Sequence, residues 1–226
     1  MFSVIFEVHP KSDRWEEYLG YGKMLRPELE RIDGFIDNVR FRSLTRDGWI
    51  LSLSGWRDEK ALVRWRTTAT HHGVQEKGRD AIFLDYRLRV GQITADSAVP
   101  TGHQITEQRL DETEIGQGKA VTLIDGTREA DWAANAGADA VAGWLGLKRN
   151  ATGLLAWDVF DAVLTPGVIT LVLSWQNDGD AAGFETSLAP KEGIRVRRVR
   201  VIRDYGMYDR REAPQYYPDA DQNGHN

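Results

Sequence analysis

Apolar and polar positions along this chain of 226 residues recur with two periods, and each change of period marks a new element. Residues 2–8, FSVIFEV, are rich in β-formers and predict a strand ending at His9-Pro10. Trp15, Leu19, Gly22, Leu25, Leu29 and Ile32 then follow at three- and four-residue steps, the stripe of a helix opened by a capping box of Asp13 and Glu16. Pro27 lies inside that stripe and predicts a kink or break near Met24. Asp33-Gly34 stops the helix. Residues 35–44 predict a second strand, and Arg46-Asp47-Gly48 turns it into a third over 49–56, a β-hairpin. Asp58 as N-cap, with Glu59 in the first turn, opens a second helix that buries Ala61, Leu62 and Trp65 and runs on irregularly through 70–75. A last strand over 81–90 alternates, with Ile82, Leu84, Tyr86, Leu88 and Val90 on one face and Phe83, Asp85, Arg87 and Arg89 on the other. The order is β-α-β-β-α-β.

The pattern then repeats. A gap-free shift of 119 positions pairs Gly48 with Gly167, Ile50 with Ile169, Trp56 with Trp175, Trp65 with Phe184 and Thr67 with Thr186. It also pairs Ile5 with Ile124, Gly34 with Gly153, Phe41 with Phe160, Arg79 with Arg198, and Asp85-Tyr86 with Asp204-Tyr205. The second copy reads as a strand from Lys119, an Ala-rich helix over 127–145, hairpin strands over 154–163 and 167–175, a helix weakened by Gly179 and Gly183 that stops by Pro190, and a strand over 193–205. The expected units are 1–93 and 119–209, joined by a connector over 94–118 with a short helix near 106–115. A tail over 210–226, with Pro214, Tyr216, Tyr217 and Pro218, is expected to drape over the body and fray after Asp219. Such a unit has both helices on one sheet face, and the third strands are apolar on both faces. The fold class is therefore α+β: two tandem ferredoxin-like units packed sheet to sheet, a pseudo-dimer within one chain.

Composition narrows the function. A net charge of −5 argues against a nucleic-acid partner, and the absence of cysteine removes disulfides, thiolate nucleophiles and cysteine metal sites. No membrane span or secretory leader is expected, which points to the cytoplasm and makes the Asn150-Ala-Thr152 sequon incidental. Neither a phosphate loop nor a dinucleotide fingerprint nor a His-x-x-x-His metal spacing occurs. Arg195, Arg197, Arg198, Arg200 and Arg203 read as charges guarding an edge strand, and Asp85, Arg87 and Arg89 as partners along one strand face.

The runs GFIDNVRFRS, GWILSLSGWRDEKALVRWRTTATHHGVQEKGR and IFLDYRLRV resemble the antibiotic biosynthesis monooxygenase family of dimeric α+β barrel proteins, over residues 1–93 and in outline over the second copy. The resemblance implies a cavity between sheet and helices, lined by Trp and His of the second helix. It also implies an activity like that of members that oxidise aromatic polyketides to quinones without a cofactor, or that degrade haem. Trp65 matches the family's helix Trp, and His71 or His72 the His that follows. Glu7 and Gln75 stand where the haem-degrading branch has Asn and His. In the second copy Phe184, Pro190 and Lys191 occupy the equivalent places, so chemistry is expected in copy one.

The expected function is a monooxygenase with no cofactor and no metal, acting on a small aromatic or enolic molecule. In it His71 or His72 serves as a base with a pKa near neutrality, and the resulting carbanion meets oxygen in a dry cavity. Adjacent helical residues point about 100° apart, so the two histidines are not expected to share one metal. Trp65, Asn38, Gln75 and Trp56 are the candidate substrate contacts, although Trp56, like Trp175, also reads as core and Asn38 as a hairpin cap. His9, His103 and His225 read as exposed. Two other readings are a non-catalytic binding or structural protein, and a haem protein with His71 or His72 as axial ligand. The expected partner is a small aromatic ligand, with no nucleic acid and no membrane, in a monomeric pseudo-dimer or a homodimer.

Overall fold

In the computed structural model, which describes residues 1–214, each unit folds its strands into the order that its β-α-β-β-α-β sequence dictates. The first unit comprises β1 (Phe2–Pro10), α1 (Trp15–Leu29), β2 (Phe35–Ser43), β3 (Ile50–Trp56), α2 (Glu59–Arg66), α3 (Ala69–Lys77) and β4 (Phe83–Asp96). The second comprises β5 (Ala120–Thr127), α4 (Trp132–Ala136), α5 (Ala138–Trp144), β6 (Leu154–Ala162), β7 (Val168–Trp175), α6 (Asp178–Thr186) and β8 (Arg195–Gly206). All pairings are antiparallel, and β2 with β6 and β4 with β8 join the two sheets into one closed barrel, β1-β3-β2-β6-β7-β5-β8-β4. The sheets therefore meet edge to edge as well as face to face, and closure leaves no edge strand. Met1, Ile5, Leu51, Leu53, Leu123, Phe160, Val172 and Val199 fill the barrel, and the helices lie outside it.

Closure explains the arginines. β8 is flanked by β4 and β5, so its arginines do not guard an edge; Arg195 pairs with Asp96 at 2.7 Å, Arg197 with Asp125 at 2.6 Å and Arg198 with Asp178 at 2.8 Å. Asp85, Arg87 and Arg89 do not pair with one another. Arg87 crosses the β4–β8 seam to Asp204 at 2.5 Å. Arg89, buried inside the barrel, reaches Glu7 at 2.8 Å and the Ser174 hydroxyl at 2.7 Å. Burial pushes the Glu7 carboxyl up, but Arg89 and Arg46 outweigh it and hold Glu7 below the usual carboxylate range.

Local departures have local causes. Asp13 lies in a 3-10 turn, Ser12–Arg14, and α1 starts behind Arg14 with no side-chain cap, so the capping box does not form. Pro27 is only two residues from the helix end, where little of the hydrogen-bond ladder remains to be lost, and α1 runs through it unbroken. Asp58 does cap α2, accepting from the Ala61 amide at 2.8 Å. A register shift between His9 and Pro10 turns Phe83 to the same side as Tyr86, against the simple alternation expected of that strand. The connector contains no helix; it lies along the barrel, with the Gln92 side chain accepting from the amides of Gln108 and Arg109. Gly137, at φ +78°, splits the expected Ala-rich helix into α4 and α5. His9, stacked on Trp49, and His103 are half-buried rather than exposed. The expectations for Tyr216, Tyr217, Pro218, Asp219 and His225 fall outside the described residues.

The sheet registers also correct the repeat. Phe2 and Ala120 hold equivalent places opposite Trp56 and Trp175, so the first strands are offset by 118 rather than 119, and Ile5 corresponds to Leu123. Gln92 lies 36 positions after Trp56, whereas its counterpart Arg200 lies only 25 after Trp175. The second copy thus lacks eleven residues between its second helix and last strand, about the length of α3, and the matches of Arg79 with Arg198 and Asp85-Tyr86 with Asp204-Tyr205 are not structural equivalences.

Candidate functional site

Between the outer face of the first sheet and α1, α2 and α3 lies a cavity of about 220 Å³. Period-two alternation decides which side chains form its floor: Val4 and Phe6 from β1, Asn38 and Arg40 from β2, Ser52, Ser54 and Trp56 from β3, and Tyr86, Leu88 and Val90 from β4. Their alternate neighbours, such as Ile5, Phe41, Leu51 and Leu53, face the barrel. The roof is Tyr18, Gly22, Leu25 and Leu29 of α1, Leu62, Trp65 and Arg66 of α2, and His71, Val74 and Gln75 of α3. A π-turn over Gly78–Ile82 follows α3, and the absent side chain of Gly78 admits the Phe83 ring; a Cβ there would meet it at 2.6 Å.

Of the two histidines, His71 lines the cavity and His72 is exposed on α3. The His71 ring stacks on Trp65, with centroids 4.3 Å apart and planes at 16°, and its Nδ1 lies 3.2 Å from the Trp65 carbonyl oxygen. A carbonyl only accepts, so that bond assigns the proton to Nδ1 and leaves Nε2 as the ring's acceptor. Burial lowers the His71 pKa to about 4, only partly offset by the Trp65 carbonyl. This is not the near-neutral value expected from the sequence: the imidazole is neutral throughout the physiological range.

Trp56 is both core and lining, buried with its indole N–H donating to Ser54 Oγ at 2.9 Å. Asn38 is not a hairpin cap; its amide nitrogen donates to Ser52 Oγ at 3.1 Å and the Leu53 carbonyl at 3.2 Å, bonds that do not use the amide oxygen. Gln75 lines the cavity beside His71. Glu7 faces the barrel instead.

Several lining residues escaped the sequence reading. Arg40, Arg66, Arg79 and Arg210 border the cavity, and among the described residues no Asp or Glu does. Tyr205 and Arg210 come from β8 and the segment after it, so the second unit helps wall the first unit's cavity. Burial pushes the Tyr205 phenol up to about 12, and Arg210 donates to the Tyr86 hydroxyl. Strand alternation from Asn38 would have found Arg40; nothing in the sequence announces that β8 crosses to the other unit.

The fold and site together define an α+β barrel with a largely apolar cavity on one unit. Residues 1–77 match the family model described as antibiotic biosynthesis monooxygenase. The chain is 49% identical over 225 residues to the jasmonate monooxygenase ABM of Pyricularia oryzae (strain 70-15), an alignment that covers 97% of this chain and 100% of the relative. The protein belongs to the antibiotic biosynthesis monooxygenase family. Among solved structures, an aldoxime dehydratase matches 89% of this chain and 81% of its own with a TM-score of 0.52 at 13% identity, a likeness of fold. A solved antibiotic biosynthesis monooxygenase matches 44% of this chain and 100% of its own, at 17% identity and a TM-score of 0.37.

Proposed function

We propose that the protein is a monooxygenase that takes a small aromatic or enolisable molecule into the cavity between the first sheet and its helices, with His71 accepting the proton released as the substrate ionises, and with the 119–209 unit as a scaffold that adds Tyr205 to the wall. The observation that carries this reading is the chamber itself: mostly apolar walls, an imidazole with an acceptor nitrogen, four arginines and, among the described residues, no carboxylate. Such a lining favours the anionic form of a substrate, enolate or phenolate, over its neutral form. A neutral imidazole of low basicity does not hold a proton at rest. It becomes the better acceptor when negative charge appears beside it, because the resulting imidazolium is then paired. Trp65, Trp56, Asn38 and Gln75 would hold the substrate against it.

Jasmonate, the compound in the relative's name, is an enolisable cyclopentanone and is the first substrate to test. When the substrate supplies all the electrons, a methylene beside a carbonyl becomes a carbonyl, one oxygen atom is retained and the other leaves as water. The experiment is to incubate the purified protein with jasmonate and isotopic dioxygen, without added reductant, and to analyse products by mass spectrometry. The expected result is a product carrying one labelled oxygen. Dependence on an added reductant would overturn the cofactor-free reading, and no product with or without one would favour a binding protein.

A further inference from the structure

Most arginines of this chain that lie at the barrel seams are matched by carboxylates, as Arg42 is by Asp161 at 2.8 Å and Arg46 by Glu7 at 2.6 Å. Arg40, two residues before Arg42 on the same strand and half-buried in the cavity wall, is different. Among the described residues no carboxylate lies within ion-pairing distance of its guanidinium, and its Nε is buried without a hydrogen-bond partner. A guanidinium carries five donors in a planar fork and stays charged at any physiological pH, so one left without a carboxylate and half-buried in a mostly apolar cavity is costly.

The surroundings are built to keep it there. Gly22 sits in the middle of α1, where glycine is a poor helix former, and a Cβ at that position would meet Arg40 Cζ at 2.6 Å and both terminal nitrogens within 2.9 Å. The missing side chain is the space that the guanidinium occupies. The buried Tyr18 hydroxyl, one turn earlier on the same helix, is hydrogen-bonded to Arg40 and steadies it. Asn38 is on the same face of β2, with its amide nitrogen already committed to β3. Arg66 also has a buried Nε without a partner, but it lies in the last turn of α2, where the helix's own carbonyl end favours a cation. Arg40 lies on a strand and has no such compensation.

We propose that Arg40 is the anchor for a carboxylate on the substrate: the cavity takes small monocarboxylic acids with an apolar body, bound as anions through the forked guanidinium. This rests on the reading that the cavity is the substrate site. It deepens that reading, since an enolisable or aromatic centre alone does not require an acid group. An anion of this kind pairs with the terminal nitrogens of the guanidinium and supplies a negative charge that the described lining residues lack.

Titration calorimetry on the full-length protein tests it with two acid–ester pairs, jasmonate with methyl jasmonate and 2-naphthoate with methyl 2-naphthoate. The expected result is that at least one acid binds about 10-fold or more tightly than its ester, and that Arg40→Met removes the preference by weakening the acid about 10- to 100-fold while changing the ester less than about twofold. Arg66→Met should keep the preference. If Arg40→Met does not fold by circular dichroism, Gly22→Ala, which keeps the charge but displaces the guanidinium, should remove the preference instead. The anchor is overturned if neither acid binds, if neither acid is preferred to its ester, or if the preference survives displacement of Arg40. An Arg40-dependent preference for naphthoate, together with no binding or oxidation of jasmonate, would leave the anchor standing and reject only the jasmonate reading.

Discussion

The two units share a strand and helix plan, yet one encloses a chamber and the other is filled, and the difference comes down to a few positions. Where the first floor carries Ser52, Ser54, Asn38 and Arg40, the second carries Leu171, Leu173, Trp157 and Val159 at the same places in the sheet. Phe184, at the place of Trp65, lies against Trp175 with ring centroids 4.9 Å apart. Trp65 instead stacks on His71, a residue of the α3 segment that the second unit lacks. Trp144 covers Gly126, where a Cβ would meet its ring at 2.6 Å. A cavity in this fold thus needs small polar residues on the floor and an extra helix to draw the roof aside. Either feature reverted toward the second unit should close it.

The largest stability effect should fall on the filled side. Phe184→Ala should cost about 3–5 kcal/mol in denaturant unfolding, because it empties a well-packed layer, whereas Trp65→Ala, which already borders empty space, should cost only about 1–2 kcal/mol. Equal losses would mean that the two layers are packed alike. Carrying the second unit's floor into the first, Ser52→Leu should lower kcat/KM on an accepted substrate by about 100-fold or more, with the melting temperature unchanged or raised, since the new side chain enters a void. Undiminished turnover in a folded Ser52→Leu protein would remove the cavity from the chemistry.

The histidine pair divides next. His71→Ala should reduce oxygen consumption by about 100-fold, the scale of losing a proton acceptor, and His72→Ala by less than about threefold. Equal effects, or none in the double variant, would favour a binding protein. Acid stability gives the smallest difference and has a definite sign. The folded His71 pKa, about 4, lies below its ordinary 6.5, so the unfolded chain binds the extra proton between those values. Stability attributable to His71 is therefore intact above pH 6.5 and is lost as pH falls toward 4, on the order of 2 kcal/mol after allowing for the half-buried ring's access to solvent. Relative to wild type, His71→Gln should be spared that loss; parallel pH profiles for the two would contradict the burial of His71.

Much of this fold was legible in the sequence, because two-residue alternation and turn glycines are local signals. The ferredoxin-like order, the hairpins and the α2 cap at Asp58 follow from them, while the copy-one cavity was implied by the family resemblance alone. The errors lie where distance decides. A gap-free repeat concealed one slip in β5 and eleven missing residues before β8, because Asp-Tyr recurs by chance at the same spacing. The β8 arginines looked like edge protection because barrel closure, and with it Asp96, Asp125 and Asp178, is invisible to local pattern. At the site, the resemblance supplied Trp65 and the histidines. It could not say that His71 rather than His72 turns inward, nor that burial keeps its pKa far below neutrality. Arg40 was passed over because a charged residue in a strand reads as solvated until Gly22 is seen opposite it.

On the proposed function, substrate binds between the first sheet and its helices and not in the helix layer of the second unit. A crystal structure of the protein with jasmonate, or with whichever acid the calorimetry selects, tests it most directly. The expected result is ligand density in the copy-one cavity, with the apolar body against Trp65 and His71, the carboxylate on the Arg40 guanidinium, and the second unit's helix layer unchanged. Density in the second unit, or a ligand in the barrel between the two sheets with the copy-one cavity empty, would contradict it.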